Sequence, residues 1–226
     1  MNHELHDSAF GSAVPLAREL SPEIEKAVLQ LVVDGFERWK AGCFTRVGDN
    51  EDHYTVRLVA CMREIRRERN MALVPRFQHV EPSDEMLEGR EDTAHAPRID
   101  MVVSWDVFAD DAFLSIECKR LAPDDLARLY VVEGIARFVR GYYGARDESG
   151  AMVGYIISGT PDAVLGRVNT YVERAQSMGP SHTLKVTDPI GQLHSVFASD
   201  HRRSPSFQPI RLTHLFFDMN GIGPPP

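Results

Sequence analysis

With 226 residues, 43% of them apolar and 26% charged, the chain is long enough to bury one sizeable core and has the composition of a single globular domain. A formal charge of −8, from 25 basic and 33 acidic side chains, excludes a protein that coats nucleic acid non-specifically, because such binding is carried by phosphate neutralisation. It does not exclude an enzyme that acts on nucleic acid.

No apolar run approaches the ~20 residues of a membrane helix, and the opening "MNHELHDSAFGSAV" has neither the basic start nor the apolar stretch of a signal peptide. A cytoplasmic protein is the expectation. Cys43, Cys61 and Cys118 are odd in number and widely spaced, which points to reduced thiols. Residues 1 to about 20 are small and polar and are expected to be flexible, leaving 21–226 as one domain.

From there, "SPEIEKAVLQLVVDGFERWKAG" offers Ser21 as N-cap, Pro22 at the first helical position, an apolar stripe through Ile24, Val28, Leu31, Val32 and Phe36, and Gly42 as the stop. After the turn Gly48-Asp49-Asn50, "EDHYTVRLVACMREIRRERN" predicts a second helix with Thr55, Leu58, Met62 and Ile65 on its inner stripe and Val59 beside it. Glu51 extends that stripe backward, so a carboxylate sits at its inward-facing start. Glu64 falls on the opposite, solvated face. The arginines of "MREIRRERN" form either a basic patch or a solvated face paired with Glu64 and Glu68.

"ALVPRFQHVEP" reads as a strand and "SDEMLEGREDTAHAP" as a polar loop. The runs "RIDMVVSWDVF" and "AFLSIECKRL" then predict a hairpin turning at 109–111. A helix over 122–144, with Leu126, Leu129, Val132, Ile135 and Val139 inward and Gly144 as its end, is followed by a buried strand over 151–159 and a helix capped by Thr160 and Pro161. "HSVFASDHRRS" and "PIRLTHLFFDM" close the chain as a hairpin over about 180–218. The order implies an α/β fold, a mixed central sheet flanked by helices.

The chemistry concentrates in the first hairpin. Along "AFLSIECKRL" a period of two sends Leu114, Ile116 and Cys118 to one face and Phe113, Ser115, Glu117 and Lys119 to the other. Pairing with "RIDMVV" brings Asp100 to the end where Glu117 and Lys119 lie. Two buried carboxylates repel unless a cation lies between them, and Mg²⁺ typically takes one or two protein carboxylates and fills its shell with water and phosphate oxygens. The lysine is then free to orient water or offset charge at phosphorus. The alternative is an ion-pair ladder on a half-exposed hairpin, with Glu51 only a helix-start carboxylate favoured by the macrodipole.

Asp100, and 17 positions later Glu117-Cys118-Lys119, resembles the bipartite D…(D/E)-x-K signature of the PD-(D/E)xK nuclease superfamily, the restriction-endonuclease-like fold. The likeness covers about residues 50–175; Ile99 stands where the family name implies proline. The resemblance implies that Asp100, Glu117 and the Cys118 carbonyl hold Mg²⁺, for which Mn²⁺ substitutes, and that Lys119 assists the attacking water. A glutamate on the first core helix joins them, matched best by Glu51, with Glu64 as fallback.

The expected activity is an endonuclease-like hydrolysis of phosphodiesters, in DNA, within bacterial defence or repair. The alternatives are a non-catalytic nuclease-fold subunit acting as a scaffold, and a hydrolase of some other phosphoryl substrate. Arg137 and Arg140 on the following helix, and Arg202 and Arg203 in "SDHRR", are the candidate contacts to nucleic acid; Tyr130 belongs either there or in the core. His201 is a candidate base or a hydrogen-bonding residue beside Ser199, and Cys118 a small core side chain. No sequence-reading module is visible, so target choice falls to loops, the tail, a second copy or a partner subunit.

Overall fold

Ser21 caps the first helix as expected, its Oγ accepting from Ile24 N at 3.4 Å, and the chain runs from Pro22 to Ala41 as α1 with Gly42 at its C-cap. In this computed structural model the described residues are 21–42, 50–80, 98–105, 113–204, 207–220 and 222, with isolated positions between 86 and 96. The expected flexible N-terminus, Cys43, most of the polar loop and the hairpin turn lie outside them. Asn50 caps α2, Glu51–Arg69, through its Oδ1 and the Asp52 amide, and Asn70 ends it in the left-handed conformation.

The strands are β1 (Leu73–Val80), β2 (Arg98–Trp105), β3 (Phe113–Leu121), β4 (Ser149–Ile156), the two-residue β5 (Lys185–Val186), β6 (Val196–His201) and β7 (Ile210–Asp218). They form one mixed sheet in the order β1-β2-β3-β4-β7-β6-β5. The pairs β3–β4 and β4–β7 are parallel and the rest antiparallel. Central parallel strands are covered on both faces, which is why β4 reads as an apolar and glycine run rather than alternating. The C-terminal hairpin is integral to this sheet: β7 lies between β4 and β6.

Alternation divides the core in two. Leu114, Ile116 and Cys118 of β3 join Leu215 and Phe217 of β7 under α1 and α2. Met152, Ile156, Leu212 and Phe216 face the opposite layer of helices. No helix among the described residues is long and apolar enough to cross a membrane.

The helix expected over 122–144 differs. It is α3 (Asp125–Leu129), a π-helical turn (Tyr130–Ile135) and α4 (Ala136–Val139). The wide i→i+5 turn rotates the inner stripe, so Ala127, Tyr130, Val131, Ile135, Phe138 and Val139 are buried while Val132 is 39% exposed. Gly134 lies in that turn, where a Cβ would come within 2.4 Å of Met152 Cε and 3.7 Å of Lys119 Cγ. A side chain here would have to displace the flexible end of Met152, while its distance to Lys119 would be an ordinary contact.

The last helix, α5 (Pro161–Arg174), is capped by Thr160 Oγ1, which accepts from Ala163 N at 3.3 Å. Thr160→Ala is expected to lower unfolding free energy by about 1 kcal/mol in urea titration, with no change in m-value.

Candidate active site

The β2–β3 ladder runs from Ser104↔Phe113 to Met101↔Ile116 and stops. At the next position Asp100 turns its carboxylate into the ladder's place, Oδ2 accepting from Cys118 N at 2.8 Å. On the other side of β2, Gln78 falls between the pairs Phe77↔Met101 and His79↔Ile99 and holds φ at 50°, a left-handed conformation that costs a side-chain-bearing residue free energy. The sheet is thus locally opened on both sides of Asp100.

Into this opening β3 delivers Glu117 and Lys119 from one face, and the first residue of α2 delivers Glu51. Glu51 Oε2 accepts from Arg120 N at 3.0 Å, which pins the helix start to the strand. Lys119 Nζ lies 2.8 Å from Glu117 Oε1, 2.9 Å from Glu51 Oε1, 3.5 Å from Asp100 Oδ2 and 2.8 Å from the Cys118 carbonyl oxygen. The four groups expected to gather here are together, arranged around the ammonium.

Arg137 of α4 completes the cluster, its Nη1 donating to Glu117 Oε1 at 3.3 Å and to Tyr143 Oη at 2.7 Å. Glu64, the fallback, is not part of it: it faces Arg38 of α1 at 3.7 Å.

Glu117 is fully buried, and its Oε2 has no hydrogen-bond partner. Burial first, and the Asp100 charge second, push its carboxyl up to about 8. Burial pulls Lys119 down, but the carboxylates of Glu117, Asp100 and Glu51 outweigh it and raise the ammonium above its ordinary range. With Glu117 protonated, two carboxylates balance two cations; ionising it leaves one uncompensated negative charge.

The sign for stability follows. The native state binds the Glu117 proton more tightly than the unfolded chain does, so its contribution is complete below about pH 4.5 and is lost as pH rises through about 8. Stability measured in chelator is expected to fall across that window, and Glu117→Gln to flatten the fall. An equal slope in both proteins would place the titration elsewhere.

Among the described residues no three His, Cys, Asp or Glu side chains stand in metal-holding geometry. The oxygens converge on Lys119 Nζ instead. The donor set is nonetheless all oxygen, as hard cations require, and the buried Glu117 Oε2 lacks a partner; both fit Mg²⁺ or Mn²⁺.

The remaining sequence candidates separate. Arg140 and Arg202 are exposed. Arg203 is engaged within the fold, donating to the carbonyls of Gly144 and Asp147 at 2.7 Å each and to that of Gln208. Cys118 is fully buried and its thiol is raised by burial, as expected of a core side chain.

His201 is 1% exposed, held near pKa 4 by burial and by His182, and makes no contact with the carboxylate cluster. It belongs instead to a buried chain that the sequence reading missed. Tyr130 Oη lies 2.8 Å from His214 Nδ1, His214 Nε2 is 2.7 Å from Ser199 Oγ, Ser199 Oγ is 2.7 Å from His201 Nε2, and His201 Nδ1 is 3.2 Å from His182 Nδ1. Polar residues at inward positions of two otherwise apolar strands were the available signal. Compared with known proteins, the chain matches no family model, no curated protein and no solved structure.

Proposed function

We propose that the chain is a metal-dependent nuclease with a restriction-endonuclease-like core, hydrolysing phosphodiester bonds in DNA. One observation carries the reading: three carboxylates and a backbone carbonyl converge where the sheet opens, around a lysine, and one buried carboxylate oxygen is left without a partner. Glu51, Asp100, Glu117 and the Cys118 carbonyl would hold Mg²⁺ or Mn²⁺. Such an ion, when bound, polarises phosphate oxygens and lowers the pKa of water.

The protein's own groups do the rest. Lys119, relieved of its three carboxylates, donates to the attacking water or to the oxygens on which charge grows. Arg137 balances Glu117. Buried Glu117 and half-buried Asp100 keep the site rigid, as in-line attack requires. The products expected from the resemblance are a 5′-phosphate and a 3′-hydroxyl.

A second reading, a nuclease-fold subunit without activity, draws on the ammonium already standing at the centre of the carboxylates. Conversion of supercoiled plasmid to open circle separates the two. Nicking with Mg²⁺ or Mn²⁺ that stops in EDTA supports the nuclease, whereas no cleavage with either ion favours the scaffold.

A further inference from the structure

Arg63, Arg66 and Arg67 of α2 and Arg76 of β1 line a groove of about 430 Å³ whose remaining walls are Val74 and Pro75. The acidic residues of this region are used elsewhere. Glu64 and Glu68 both pair with Arg38 of α1, and Asp34 pairs with Arg69. Of the two readings the sequence left open for these arginines, the one that pairs them with Glu64 and Glu68 of their own helix gives way to pairing of both glutamates across to α1.

Among the described residues no carboxylate pairs with Arg63, Arg67 or Arg76. Arg63 Nε donates to the Pro75 carbonyl at 3.1 Å and Arg67 Nε to the Arg63 carbonyl at 3.3 Å, which anchors two guanidinium groups beside the groove with one N–H each. Attraction between cations and a helix C-terminus accounts for Arg66 and Arg67, in the last turn of α2, but not for Arg63. It does not account for Arg76, which comes from the edge strand. Arg63, Arg67 and Arg76, three like charges drawn together on a protein of net charge −8, form a site for an anion.

The lining identifies which anion. Guanidinium groups in a row, two of them anchored, suit successive phosphates. The groove has no aromatic side chain, and proteins that hold single strands rely on aromatic platforms for base stacking. Arginine without aromatics reads backbone alone, as a duplex presents it. The groove also shares α2 with Glu51, from which Arg66 is about 22 Å along the axis at 1.5 Å per residue. That separation is about six to seven base-pair steps of duplex.

We propose that this groove seats the phosphodiester backbone of duplex DNA, about six to seven base pairs from the bond presented to Glu51, Asp100 and Glu117. The choice of DNA rests on the nuclease reading; the duplex and its position rest on the groove. The test is fluorescence anisotropy in EDTA with a short labelled duplex, comparing wild type, the charge-reversed Arg67→Glu/Arg76→Glu and the charge-keeping Arg67→Lys/Arg76→Lys. Both side chains are exposed, so neither pair disturbs the core.

The expected result is at least a ~10-fold weaker duplex for the reversed pair, with the slope of log K against log salt smaller by about 2, and near wild-type values for the lysine pair. Unchanged affinity and slope in the reversed pair would overturn the proposal. So would tighter binding of the matching single strand, or displacement by polyglutamate as readily as by unlabelled duplex. Because binding is read in EDTA, a protein that binds through the groove but never cuts leaves this site standing and removes only the nuclease reading. Nicking by wild type with normal binding by the reversed pair does the opposite.

Discussion

Lys119→Ala is expected to lower plasmid nicking by on the order of 10²–10³-fold, the usual cost of removing one well-placed donor from a charge-developing centre. The same change acts on stability. Its ammonium is the common partner of Glu51, Asp100 and Glu117, and removing one member of a buried ion cluster costs about 3–5 kcal/mol because the others are left uncompensated. Urea unfolding in EDTA measures this loss, and millimolar Mg²⁺ is expected to restore part of it in the variant. Adding Glu51→Gln, which removes one of the carboxylates left without its ammonium, should recover part of the stability without recovering cleavage, so the double variant's loss is smaller than the sum of the singles. Asp100→Ala is expected to lose cleavage to a similar degree. Equal nicking by wild type and both variants would remove the assignment of the site.

Phe217→Ala should be among the most destabilising single changes in the chain, at about 3–5 kcal/mol by chemical denaturation. Its ring stacks on Phe36 of α1, with centroids 4.1 Å apart and planes 4° apart, and lies 6.4 Å from the Tyr155 ring of β4. All three side chains are essentially fully buried. The substitution therefore opens a cavity where α1, β4 and β7 meet, on the face opposite the helices that carry Arg137. The Lys119 cluster is untouched, so nicking per folded molecule is expected to stay near wild type at temperatures where the variant remains folded. A loss below 1 kcal/mol would mean that α1 is held to the sheet chiefly by other contacts.

Local periodicity made much of this legible. The 3.6-residue stripe placed Glu51 at the inward start of α2, and the period of two in β3 put Glu117 and Lys119 on one face and Cys118 on the other. Both readings depend only on neighbours in sequence, and both are seen. The stripe expected through Leu126, Leu129, Val132, Ile135 and Val139 broke at Val132, because the turn at Tyr130–Ile135 widens beside Met152 and Lys119, partners supplied by two other strands. Arg203 looked available for the same reason: the carbonyls of Gly144 and Asp147 that occupy it lie 59 and 56 positions away. The central place of β7 was hidden too, since a closing hairpin reads alike whether it extends a sheet or completes its middle.

The buried chain from Tyr130 to His182 has a direction, and a single phenol sets it. Tyr130 carries one proton in a fully buried site whose only described hydrogen-bond partner is His214 Nδ1, so the phenol must donate, for its proton would otherwise face hydrocarbon. Both His214 and His201 are kept neutral by burial, each with one proton to place. His214 therefore carries its proton on Nε2 and gives it to Ser199, Ser199 donates to His201 Nε2, and His201 donates from Nδ1 to His182. One hydroxyl beneath the helical layer thus dictates the tautomers of His214 on β7 and His201 on β6 and the acceptor nitrogen of His182 in the turn at Pro180–His182. The outermost ring, His182, takes the last of these bonds at Nδ1 and, with His201, lines the neighbouring 880 Å³ cavity, so the order set at the buried phenol reaches a cavity wall.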